Sequence, residues 1–471
     1  MMFVLLRKNS EGGRGAAPLG RAAALALCLL FVLGEVPAWG ALSGLRDIFS
    51  GGSGESSAGE QTEQTGGRVV VKTSSGKKTV RRATVRRRAA KKAAAPRMFA
   101  GGSGTAKSPW IIRTAAQLQM FSSSVNGGQN YAGKHIRLGA DVDLSGRNWT
   151  PIGTLKEGRP SAAFQGTFDG GGRTVHGLAV SRSGTESAGL FGAVVGATIS
   201  RLTVEGASLS GEANVGTIAG YAVKSQFNNC SVSGSVSGGG NVGGIVGSAL
   251  ECRLIRQSFY GSVSGGAANT GGIAGGAFSS IIQRASAQGR VAGREHVGGL
   301  VGLLQMSTLQ DGEAAAMEVE GNLNVGGLVG WGSGKVSLQK LAFDGEVTAG
   351  ENAGGVVGLQ DRGTLRDAAS GGRVVGKLNA GGVAGTWRDG EALRCASSAE
   401  VIGETGVGGV VGQMEKGRLT RCGSEGEVRG GDAVGGLIGS MKAGGYENCQ
   451  PSRMIRASIS SGSEVGRRDG Q

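Results

Sequence analysis

A short glycine-centred pattern returns at nearly constant intervals along most of this chain, and that periodicity restricts the possible folds more than any other feature. It reads Asn-Val-Gly-Gly-Ile-Val-Gly from Asn241, Asn-Val-Gly-Gly-Leu-Val-Gly from Asn324 and Ala-Val-Gly-Gly-Leu-Ile-Gly from Ala433. Its anchor glycines are Gly189, Gly216, Gly243, Gly271, Gly298, Gly326, Gly354, Gly381, Gly408 and Gly435, spaced by 27 or 28 residues throughout. A fixed period of this size marks a repeat architecture, in which each copy is one supersecondary unit that cannot bury its apolar face alone. Helical repeats of similar length are excluded by composition. Glycine supplies 94 of the 471 residues, and each glycine inside a helix costs roughly 1 kcal/mol relative to alanine. With only 7 prolines and no glycine at every third position, collagen is excluded as well.

Two aliphatic ladders hold the same register. Leu209, Val236, Val263, Val291, Val319, Val347, Val374, Val401 and Val428 lie about eight residues before each glycine pair. A looser series is Leu202, Phe227, Ile255, Ile282, Leu309, Leu338, Leu365, Leu393 and Leu419. Short β-type segments separated by glycine and polar turns describe one coil of a three-sided solenoid. The expected fold is all-β, a right-handed parallel β-helix of 27-residue coils, with each strand bonded to its equivalents about 4.8 Å above and below. The paired glycines are expected at corners, through positive φ or through minimal bulk. Open ends of a solenoid need covers, and residues 99–188 fit an N-terminal cap with the first irregular coils. Within it, residues 114–125 read as a short helix that turns Leu118 and Phe121 to the core. Residues 189–450 form the repeat body, and 451–471 read as a tail with scattered apolar residues.

The N-terminus reads as an export signal. Arg7, Lys8, Arg14 and Arg21 precede an apolar run from Ala22 to Leu33, and small residues Ala38 and Gly40 suit cleavage before Ala41. The run is short for a membrane span, and no later segment is long and apolar enough to be one. Residues 1–40 are therefore expected to direct the chain to the cell exterior or surface. Residues 41–98 have the composition of a tether, rich in Ser and Gly and then basic. Between 77 and 97 there are ten Lys or Arg and no acid, ten of the formal +15. Arg81, Arg82, Arg86, Arg87, Arg88, Lys91 and Lys92 are candidates for contact with an anionic polymer; a solvated spacer is the competing reading.

The repeats resemble the GLUG motif of bacterial surface and secreted proteins, named for a Gly-Leu-any-Gly core. Leu300-Val301-Gly302 and Leu328-Val329-Gly330, each after a glycine pair, carry the likeness. The leader Gly102 to Leu118, with Trp110 and Gln117, also resembles the segment preceding such repeats. So do Leu138 to Leu144, Trp149 to Gly153 and Phe164 to Leu178. The resemblance covers roughly residues 99–450. It implies an adhesin-like surface protein, similar to the non-catalytic β-helix region of secreted immunoglobulin A peptidases. It supplies no activity: a His-Glu-x-x-His signature is absent, and the histidines are His135, His176 and His296.

Site chemistry is sparse. Three scattered histidines make neither a metal cluster nor a nucleophilic triad, and no cofactor or metal is expected. Glu318, Glu346, Glu400 and Glu427 recur beside the valine ladder, interrupted by Arg290 and Arg373. This reads as a solvated face rather than an acid/base pair, which needs two carboxylates in unlike environments. Asp141, Asp143 and Asp169 suit turn and cap roles, with calcium binding or acid catalysis as the competing reading. Cys395, Cys422 and Cys449 are expected to stack in consecutive coils, either as a column of buried thiols or with a disulfide between neighbours, for which stacked side chains have suitable Cα separation but poor Cβ direction. Tyr221, Trp331 and Trp387 follow the motif at its variable turn and are the candidate ligand edge, for a glycan or a host or cell-surface protein. The expected role is a non-catalytic adhesion or binding module; the alternatives are a carbohydrate-active β-helix enzyme and a passive spacer of a surface layer.

Overall fold

Residues one period apart lie directly above one another, and this superposition builds the molecule. The computed structural model describes residues 97–468 except 182, 183 and 185. The export segment and the basic run from Arg81 to Lys92 lie outside the described residues. The described chain winds into a parallel β-solenoid of about 13 turns with one short helix. Apart from the antiparallel hairpin of Thr154–Lys156 with Arg159–Ala162, every named strand pair is parallel. Pairing joins Gly216 to Gly243, Gly271, Gly298, Gly326, Gly354, Gly381, Gly408 and Gly435 in succession. The valine ladder pairs in the same way from Leu209 to Val428, and each member is at least 97% buried. Each such side chain contributes about 1.5–3 kcal/mol by leaving water, and the stack makes the columns continuous.

The expectation for the C-terminus needs correction. Residues 451–468 are no loose tail: Ile455 pairs with Val428, Gly462 with Gly435 and Val465 with Ile438. One more coil thus continues the stack with a diluted pattern, its inward Ile455 and Val465 only partly buried.

The looser ladder is corrected at three members. The buried column runs Ile199, Phe227, Leu254, Ile282, Leu309, Leu338, Leu365, Ala392, Leu419. Leu202 is buried but belongs to another row, and Ile255 and Leu393 are displaced one residue outward and half-exposed. A one-residue slip moves a side chain to the other face of a strand, and where two apolar residues adjoin, the pattern alone does not choose between them.

The anchor glycines are required by close approach and not by backbone sign. None of Gly216 to Gly435 in this series has positive φ. A Cβ at Gly326 would stand 2.0 Å from the Val329 carbonyl oxygen, and at Gly408 2.0 Å from that of Val411. The left-handed turn is made two residues earlier, at Asn214, Asn241, Asn269, His296, Asn324, Asn352 and Asn379, with φ between 47° and 65°. Asparagine tolerates that region better than other side chains, and here it is also bonded along the stack. Nδ2 of Asn241 donates to Oδ1 of Asn214 at 3.2 Å, Asn269 to Asn241 at 2.9 Å, Asn352 to Asn324 at 2.8 Å and Asn379 to Asn352 at 3.0 Å. His296 stands in this row, its Nδ1 3.0 Å from Oδ1 of Asn269.

The N-terminal end is closed as expected. The helix Ala115–Asn126 is capped by Thr114, whose hydroxyl accepts from Gln117 N at 3.2 Å. Leu118, Phe121 and Val125 face inward. Phe121 packs against Phe164 at 5.6 Å and Tyr131 at 5.0 Å, and Phe99 stacks on Trp110 at 4.9 Å. Seven aromatic residues, Phe99, Trp110, Phe121, Tyr131, Trp149, Phe164 and Phe168, cluster at this end of the described stack.

Candidate binding groove

The expected aromatic edge does not form. Tyr221 and Trp331 fall in one column, through Ser248, Gly276 and Leu303, but Trp387 falls one position further along, level with Gln360 and Met414. That displacement carries Trp387 into the core, fully buried, so it presents nothing to a ligand. Tyr221 and Trp331 are half-buried. The Trp331 ring lies 4.8 Å from that of His296 and covers the asparagine row there.

The surface that does offer a concavity was not singled out by the sequence. A second left-handed corner recurs at Arg201, Asn229, Arg256, Arg284, Asp311, Lys340, Asp367, Arg394, Arg421 and Asn448, with φ between 52° and 56°. Two positions on, an outward row runs Thr203, Ser231, Ser258, Ser286, Glu313. Three hollows of about 290, 230 and 300 Å3 adjoin along these rows. The first is lined by Ser231, Ser258, Ser286 and Tyr260, the second by Arg201, Asn229, Arg256 and the same serines Ser231 and Ser258, and the third by Arg256, Gln283, Arg284 and Asp311. The first two share Ser231 and Ser258 and form a shallow groove along the stack floored by hydroxyls, with Val232, Phe259 and Glu313 also in its lining; the third adjoins it at Arg256 and is floored by Gln283 and Gln310. The Ser258 hydroxyl donates to that of Ser231 at 3.0 Å, and Gln283 Nε2 to Gln310 Oε1 at 3.2 Å. Tyr260, 66% exposed, stands on one wall.

Charge along these hollows is mixed, with Arg201, Arg256 and Arg284 at one end and Asp311 and Glu313 at the other. Arg201 is paired with Asp169. Further along the same corner Arg394 meets Asp367 at 2.6 Å, and that guanidinium holds the Asp367 carboxyl below its usual range. Among the described residues no carboxylate lies within 4.0 Å of Arg256 or Arg284.

The other candidates resolve into structural roles. Arg290 meets Glu318 at 2.9 Å, and Arg373 meets Glu346 at 3.2 Å and Glu400 at 3.5 Å, all substantially exposed. Such pairs contribute about 0–1 kcal/mol each. Arg456 lies 2.6 Å from Glu427, whose carboxyl is pushed down chiefly by its bond from Arg429. Asp143 accepts from Ser145 N at 2.9 Å and Asp169 from Gly171 N at 2.9 Å, both turn bonds, and Asp141 accepts from Thr174 N at 3.0 Å. Asp143 and Asp432 are also held below the ordinary carboxylate range by hydrogen bonds to serine. Cys395, Cys422 and Cys449 stack with free thiols, and Cys422 N lies 3.4 Å from Cys449 Sγ. Among the described residues no group of three His, Cys, Asp or Glu is placed to hold a metal, and no helix is long and apolar enough to cross a membrane.

No protein-family profile matches the chain. A stretch of 129 residues is 33% identical to Halomucin of Haloquadratum walsbyi, covering 25% of this chain and 1% of that protein. Another match of 126 residues, 32% identical, is to a protein of Evansella cellulosilytica provisionally named a Gly-rich membrane protein; it covers 23% of this chain and 13% of that one. The chain thus spans only a small part of the curated relatives it matches. Among solved structures, one of Bacteroides ovatus provisionally named an immunoglobulin A1 protease is similar over 79% of this chain and 87% of its own, at 16% identity and a TM-score of 0.34. The A-module of the mannuronan C-5 epimerase AlgE6 of Azotobacter vinelandii is similar over 77% and 97%, at 11% identity and a TM-score of 0.28.

Proposed function

We propose that the chain is a cell-surface or extracellular β-solenoid of GLUG-type repeats that serves as an adhesion and binding module and carries no catalytic activity. The observation that carries this reading is the form of the concave surface: a shallow groove, open to solvent, extended over several coils and floored by small hydroxyls. An enzyme acting on a polymer needs a proton donor and an acceptor in unlike environments. The perturbed carboxylates here, Asp143, Asp367, Glu427 and Asp432, are all pushed toward the charged form, each by a named hydrogen-bond partner. Carboxylates held in the charged form by such partners are poor proton donors at neutral pH. The relatives' names, a mucin and a Gly-rich membrane protein, agree with a surface setting. The basic run of residues 77–97 adds an electrostatic contact to an anionic envelope polymer.

The reading is tested by exposing the full chain to arrays of glycans and host cell-surface proteins while assaying the same polysaccharides for cleavage. Retention on a subset of ligands with no new chain ends is expected. Depolymerisation of any of them, or retention on none, would overturn it.

A further inference from the structure

We propose that the groove between the Arg256 corner and Tyr260 binds an extended anionic polysaccharide, taking its carboxylate or sulfate groups on Arg256 and Arg284 and its ring hydroxyls on the serine floor. This rests on the reading of the chain as a binding module and adds the place and the ligand chemistry.

Four features point to that ligand. Arg256 and Arg284 occupy equivalent positions in adjacent coils, about 4.8 Å apart along the stack. A polymer lying along the groove therefore meets cations at a spacing near the length of one sugar ring. Both side chains are exposed and have no carboxylate within ion-pair distance among the described residues, whereas Arg201 and Arg394 of the same row are satisfied by Asp169 and Asp367. An arginine fork suits a bidentate anion such as a carboxylate or sulfate. Finally, both residues adopt φ of 55°, a conformation costing roughly 1–2 kcal/mol for a side chain other than glycine or asparagine. The neighbouring coil shows the cheaper solution, Asn229.

The floor and wall narrow the class further. Ser231, Ser258 and Ser286 offer hydroxyls one coil apart, matched to a ligand rich in hydroxyls. Tyr260 presents one exposed ring face of the kind that stacks on a sugar. A protein partner would need an exposed apolar anchor at the centre of the contact; the apolar residues of this floor, Val232, Phe259 and Ala287, are buried beneath the serines. A single-stranded nucleic acid would need an aromatic platform for successive bases, and Tyr260 stands alone in the groove.

The experiment is calorimetric titration of the full chain with four probes. They are a hexagalacturonate (carboxylate on every ring), a dextran sulfate oligosaccharide (sulfate), maltohexaose (neutral) and an oligothymidylate. The basic run of residues 77–97 is common to every variant, so differences between variants report the groove. Arg256→Ala with Arg284→Ala should weaken the preferred acidic oligosaccharide about tenfold or more. Lys377→Ala with Lys442→Ala, which removes equal charge from exposed sites elsewhere, should leave it within twofold. Tyr260→Ala should weaken the same oligosaccharide and leave inorganic sulfate unaffected. Whichever of the two acidic sugars binds more tightly identifies the anion. Equal losses in the two double variants, or tighter binding of the oligothymidylate than of either acidic sugar, would overturn the proposal. If the parent chain adheres to cells and the arginine variant adheres as well, the groove assignment fails and the adhesion reading stands. If the parent binds no probe and no cell, both fail.

Discussion

Replacing an anchor glycine by alanine tests the geometry of the stack at its tightest point. At Gly326 the added Cβ would lie 2.0 Å from the Val329 carbonyl oxygen and 2.6 Å from the amide nitrogen of Gly358 in the coil above. A Cβ essentially never comes within 3.0 Å of a heavy atom, so something must move by about the 1.0 Å that separates 2.0 from 3.0. Both obstructing atoms are backbone: Val329 pairs with Val357, and Gly358 lies between Val357 and Leu359, which pair with Ala384 and Thr386 of the next coil. Side-chain rotation offers no relief. Overpacking of this kind costs about 1–3 kcal/mol and occasionally more, and alanine recovers only about 0.4–1 kcal/mol by restricting the unfolded chain. Gly326→Ala is therefore expected to lose about 2 kcal/mol or more, with the damage concentrated in the coils above and below, because repeat stability is a sum of local interface terms.

The comparison that isolates the cause is Gly266→Ala. That glycine sits in a bend with its nearest neighbour 3.6 Å from the added carbon, so the same substitution should be neutral or stabilising by about 0.4–1 kcal/mol. Urea titration followed by circular dichroism gives the difference in stability, and amide exchange in residues 323–358 locates it. Superimposable unfolding curves for the two variants would refute the account of the anchor glycines as residues demanded by close approach.

Three further outcomes follow from the same geometry. Trp387→Ala should cost about 3–5 kcal/mol as a core cavity, and Trp331→Ala distinctly less, since its ring lies at the surface of the asparagine row; equal losses in urea would show that the two columns have been misplaced. Burial holds the His296 imidazole below its ordinary value of 6.5, so the folded state resists a proton that the unfolded chain accepts. Stability should accordingly fall as pH drops through about 6.5 toward the lowered folded value, and His296→Asn should flatten that slope; an unchanged slope in parallel urea titrations would exclude His296 as its source. Burial also pushes the thiols of Cys230 and Cys252 up to about 12, so at pH 8 both should alkylate far more slowly in the folded chain than in urea; labelling at equal rates would contradict it.

How much of this was legible in the sequence depends on what each residue answers to. The period, the valine ladder and the helical cap were readable because they express burial, and burial leaves a hydrophobic pattern: Val347 and Val374 stack because both must leave water. The left-handed corners leave no such pattern. A strand alternates inward and outward, but the residue at φ 55° interrupts the alternation, so that Leu254, Gln257 and Phe259 all turn inward across Arg256. Parity counted through such a corner goes wrong by one, and a single extra residue has the same effect elsewhere: Trp387 stands six residues after its anchor glycine, against five for Tyr221 and Trp331, and that step turns it inward. The recurrence of asparagine two residues before the glycine pair was a usable signal for one corner, since asparagine is the side chain that best tolerates that backbone. The other corner carried no such mark, because Arg, Asp and Lys fill eight of its ten positions. It is this unmarked row that lines the groove, because the corner lifts Arg256 and Arg284 clear of both flanking strands into solvent. Packing therefore reveals the solenoid, whereas the candidate site emerges only when the coils are superposed and the arginines that lack partners can be told from those that have them.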